Sequence, residues 1–60
     1  MDDIKIGPAG QTFGQLKADV RATRSAYSAC PCDHHVTAWE VSVSMLRAAY
    51  TRVGLPYVAP

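Results

Sequence analysis

The sequence predicts an all-α fold, an antiparallel helical hairpin that self-associates into a helical bundle. Three features of the chain predict it. Two segments repeat apolar residues at alternating three- and four-residue spacing, a proline-bearing turn separates them, and the second segment is apolar over more than half its circumference. The helices are expected over about residues 13–29 and 35–53. An arm at 1–11 precedes them, a hinge at 30–34 joins them and a tail at 54–60 follows. All 60 residues make one domain. A chain this short buries only about 60% of its unfolded surface. Its own core supplies about 3–5 kcal/mol, so such chains usually add a metal, a disulfide or a partner chain.

In the arm, Ile4 and Ile6 alternate with polar neighbours, and Gly7-Pro8-Ala9-Gly10 then interrupts regular structure. This pattern fits a short extended piece that lays its isoleucines on the body, or one that exchanges with a partner. The first helix opens at Thr12, with Gln15 placed to complete a capping box. Phe13, Leu16, Val20, Thr23 and Tyr27 form its seam. Lys17, Arg21 and Arg24 line up beside that seam as one basic stripe. A solvated flank accounts for the stripe, because long cationic stems often cover apolar surface. The functional alternative is an anion contact to a small molecule or to nucleic acid.

Pro31 ends the first helix and bars the α conformation at Cys30. The second helix repeats Val36, Trp39, Val43, Leu46, Tyr50 and Val53 on its seam, with Trp39 and Tyr50 expected in the core. Asp33 is the expected N-cap, and Thr37 to Glu40 offers a competing capping box one turn later. An adjacent stripe of Ala38, Val41, Ser42, Met45 and Ala49 needs a second neighbour, and another copy of the chain is the simplest supplier. These five residues are the predicted oligomer interface. Val41 to Ser44 alternates like a strand, but the surrounding heptads favour helix. Gly54 and Leu55 fit a Schellman ending, and Pro56 forbids continuation. Tyr57, beyond that proline, is a candidate partner or ligand contact.

The chemistry concentrates in Cys30-Pro31-Cys32-Asp33-His34-His35. Zinc takes thiolate and imidazole ligands, and Cys30, Cys32, His34 and His35 supply both types. Their spacing is not that of a standard finger, and adjacent histidines at a helix start diverge, so one would ligate while the other faces away. The bland alternative is a proline turn with two thiols and two ordinary histidines. An intrachain Cys-x-Cys disulfide would close a very small, easily reduced ring. Cys32 beside a histidine also has the residue types of an activated thiol. No oxyanion or substrate-binding feature accompanies it, and no glycine loop for phosphate is present, so an enzyme is not expected.

Six Lys and Arg against five Asp and Glu leave a net charge of +1, which argues against a strongly basic nucleic-acid binder. No basic leader followed by an apolar run opens the chain, and no stretch approaches the roughly 18 apolar residues of a membrane span. The expected setting is cytoplasmic, where thiols stay reduced or metal-bound; in a virion or outside a cell that redox argument lapses. The expected function is that of a small, non-catalytic interaction or assembly module, a homo-oligomer able to take a protein partner. The alternatives are an oligomeric binder of an anion and a zinc-stabilised regulator.

Overall fold

A computed structural model describes residues 3–60 and contains two helices, α1 (Phe13–Ala29) and α2 (Asp33–Arg52), packed as a hairpin. Met1 and Asp2, the start of the predicted arm, lie outside the described residues. The molecule measures 33 × 18 × 17 Å. Its long dimension is that of α2, whose 20 residues rise about 30 Å at about 1.5 Å each.

Both ends of α1 follow from local chemistry. The Thr12 hydroxyl accepts from the Gln15 backbone N–H at 3.2 Å, and the Gln15 side chain accepts from the Thr12 N–H at 2.8 Å. Two backbone donors that the helix start would orphan are thereby satisfied. At the other end Cys30 is extended, with φ −147° and ψ 101°, as a residue preceding proline must be.

The second helix begins at Asp33, two residues before the expected start near His35. Pro31 restricts the residue before it but not those after it. The Cys32 carbonyl therefore accepts at once from the N–H groups of His35 and Val36, both at 3.0 Å. Cys32 is thus the N-cap, and Asp33 lies in the first turn, where a negative charge suits the positive end of the helix dipole. The competing box at Thr37 falls inside the helix, and so does the strand-like run at Val41 to Ser44. There the Ser42 hydroxyl donates back to the Ala38 carbonyl at 2.8 Å.

The α2 ending is a full Schellman motif. Leu55 N–H donates to the Tyr50 carbonyl at 3.0 Å, Gly54 N–H donates to that of Thr51 at 3.1 Å, and Gly54 takes φ +74°. The arm folds back on the body. A single bridge pairs Lys5 with Thr12, Ile6 packs against the core, Arg52 Nη1 donates to the Ile6 carbonyl at 3.0 Å, and Ile4 stays exposed.

Among the described residues the buried core is Phe13, Leu16 and Val20 from α1 with Leu46 and Ala49 from α2. Because the helices are antiparallel, this core lies at the end remote from the hinge. Phe13 meets Tyr50 edge-on at 5.2 Å, and Tyr50 in turn meets Tyr57 of the tail at 5.8 Å. Towards the hinge the packing is more open. Tyr27 and Trp39 stack at 5.7 Å and are only partly buried.

Candidate functional site

The hinge brings Cys30, Cys32 and His35 together. Their ligand-type atoms all lie within 4.8 Å of one another, a group that can hold a metal ion. Two backbone facts make the cluster. Cys30 and Cys32 flank the proline in extended conformations, which sets their Cα atoms 5.6 Å apart and turns both side chains to one side. His35 follows one turn into α2, and its ring folds back over the hinge so that Nδ1 meets the Cys30 carbonyl at 2.6 Å.

That contact orders the imidazole. A backbone carbonyl only accepts, so Nδ1 carries the proton and donates it. In the neutral tautomer this leaves the lone pair on Nε2. A ligating histidine commonly has this arrangement, with one nitrogen tied to a carbonyl and the other left for a metal. His34 is outside the group. It is exposed, and its ring lies tilted against that of His35 at 4.1 Å between centroids. The sequence leaves the choice between the two histidines open, and the geometry selects His35.

The two sulfurs also sit at disulfide distance, and the structure joins Cys30 to Cys32. The sequence favours free or metal-bound thiols. The extended turn supplies the reason for the difference, since a Cα separation of 5.6 Å lies within the range that a disulfide spans. The same pair of sulfurs therefore has two uses that exclude each other: bonded to one another, or reduced and offered with His35 to a metal.

The other predicted site residues lie along the body. Of the basic stripe, Lys17 places Nζ 5.9 Å from the centre of the Phe13 ring, and Arg21 is exposed. Arg24 lines a groove of about 250 Å³ between the helices and the tail. Trp39, Arg47 and Tyr57 line the same groove, and the Arg47 guanidinium lies 5.1 Å from the centre of the Tyr57 ring. Tyr57 is thus half-buried against the body rather than projecting from it. In the predicted interface stripe, Ala38 and Val41 are exposed, Ser42 and Met45 are partly covered, and Ala49 lies within the chain's own core.

Sequence reasoning misses Arg47, which looks like one more residue on the polar side of α2. Its faint signal is its place four residues after Val43, on the shoulder of the seam. Trp39 is expected as a core residue. It is partly buried and packs against the core, and it also borders the groove, with its indole Nε1 buried and without an acceptor among the described residues. Among the described residues no helix is long and apolar enough to cross a membrane. No family model matches the chain, and neither a curated protein nor a solved structure is detectably similar to it.

Proposed function

We propose that the protein is a small, non-catalytic assembly module that pairs with a second copy of itself through α2, giving a four-helix arrangement. The observation that carries this reading is the size of the core: five buried side chains among the described residues, 3–60. A core this small leaves stability marginal. Meanwhile α2 exposes Val41 to 53%, beside exposed Ala38 and partly covered Met45. A second copy laying the same stripe against this one would cover these residues on both chains at once, as a two-fold contact does. Sedimentation equilibrium tests the reading. A mass of two or more chains at micromolar concentration is expected, reduced to one chain by Val41→Asp, and a wild-type monomer throughout would refute it.

A second reading, favoured by the Cys30, Cys32 and His35 group, is a metal-stabilised hinge. With the sulfurs reduced, two thiolates and the His35 imidazole make a three-ligand zinc set, and the fourth position falls to water or to a residue of another copy. Native mass spectrometry of the reduced chain with zinc should show one ion per chain, and the oxidised chain should show none. His35→Ala should weaken uptake at least about tenfold, whereas His34→Ala should leave it within about twofold. A reduced chain that takes up no zinc would remove this reading without touching the assembly proposal.

A further inference from the structure

We infer that the groove between α1, α2 and the tail binds a small organic anion, a carboxylate or phosphate carried on a single apolar ring. Arg24 of α1 and Arg47 of α2 reach it from opposite helices. Their guanidinium groups are permanent cations with forked donors suited to carboxylate and phosphate oxygens. No acidic side chain lines the groove; the one negative group there is the α-carboxylate that Pro60 carries in this 60-residue chain, and neither arginine is paired with it or with any other carboxylate among the described residues. Glu40, the acid on this side of α2, lines an adjoining depression with Trp39, Val43 and Ser44 instead.

The rest of the lining is apolar or aromatic: Val20, Trp39, Val43 and Tyr57, with the end of the tail. A ring entering here would meet faces of its own kind while its charged group met the arginines. A few polar groups placed on an apolar lining is the usual make-up of a small-molecule site. Size narrows the ligand. About 250 Å³ falls just below the roughly 300–1,000 Å³ of drug-sized sites, so one ring with one charged group is the fitting scale. Arg47 lies over the Tyr57 ring, a contact that holds the cation in place before a ligand arrives. Trp39, whose buried Nε1–H has no acceptor among the described residues, lines both this groove and the adjoining depression.

This site does not depend on pairing between copies. At about 100° per residue along a helix, Trp39, Val43 and Arg47 fall on one flank of α2, whereas Ala38, Val41 and Met45 fall on the other. A partner covering Val41 leaves the groove open.

The chain has a single tryptophan, so the indole Nε1–H signal of Trp39 in a proton–nitrogen correlation spectrum reports on the groove directly. The full-length chain is titrated with benzoate, phenyl phosphate, benzyl alcohol and inorganic phosphate. Benzoate or phenyl phosphate should move the signal saturably. Benzyl alcohol, which has the ring without the charge, and inorganic phosphate, which has the charge without the ring, should each bind at least about tenfold more weakly. Arg24→Gln and Arg47→Gln should each weaken the anions about tenfold, and Arg21→Gln should change them by less than about twofold. Both arginines are exposed, so these variants keep the fold, and the free-state position of the indole signal verifies it. Benzyl alcohol equal to benzoate, inorganic phosphate equal to phenyl phosphate, undiminished binding by the arginine variants, or no saturable shift would each overturn the inference.

Discussion

Single residues carry an unusual share of the stability, because the buried core is so small. Leu46 is fully buried in the core that the two helices share. Truncating such a leucine to alanine costs about 2–5 kcal/mol, against about 3–5 kcal/mol for a whole core of this size. Leu46→Ala should therefore leave the chain largely unfolded, read as loss of helical circular dichroism. Thr12→Ala removes one acceptor of the capping box and should cost about 1 kcal/mol, a fall of about 4–8 °C in the unfolding midpoint for a domain this short. Gly54 holds φ +74° with open space where a Cβ would stand, so Gly54→Ala is opposed by backbone strain alone and should cost about 1–2 kcal/mol. A midpoint unchanged by Gly54→Ala would argue against the Schellman ending.

How much of this could be read beforehand differs from element to element. The range of α1 was legible at both ends, because Thr12 and Gln15 form a capping pair and Pro31 constrains the residue before it. The end of α2 was legible for a similar reason, in the order Gly54, Leu55, Pro56. Its start was not, because Cys32 caps through its backbone without any side-chain hydrogen bond, and sequence rules look for an oxygen-bearing side chain. The hinge cluster was legible in its residue types but not in its geometry. Choosing His35 over His34 needs the phase of the first turn of α2, and that phase follows from where the helix begins. The groove was least legible. Arg24 and Tyr57 stood out separately, but Arg47 joins them only once two helices and the tail are docked. Proximity between elements leaves no trace in local spacing.

The hinge makes its own prediction at the scale of the element. Cys30 and Cys32 can bond to each other or, reduced, be offered with His35 to a metal ion, never both. Each state ties the end of α1 to the start of α2. The double variant Cys30→Ser/Cys32→Ser removes both ties while leaving Pro31 and the helix seams intact. Its helix content should be retained, and amide exchange should quicken for residues about the hinge rather than at the core around Leu46. Faster exchange spread evenly over both helices would mean that the hinge contributes to global stability instead.

At the scale of the whole molecule, a long, two-sided α2 is mismatched to the small core that one hairpin can bury. The far end of the hairpin is closed by Phe13, Leu16, Val20, Leu46 and Ala49. The stripe through Ala38 and Val41 stays uncovered. If a second copy covers that stripe, folding and association are coupled, and stability rises with chain concentration by mass action. The most direct test is the chemical-denaturation midpoint of the wild-type chain measured across a hundredfold range of concentration. An assembly module predicts a midpoint that climbs steadily with concentration and a Val41→Asp variant whose lower midpoint does not move. A wild-type midpoint that stays constant across the range would contradict it.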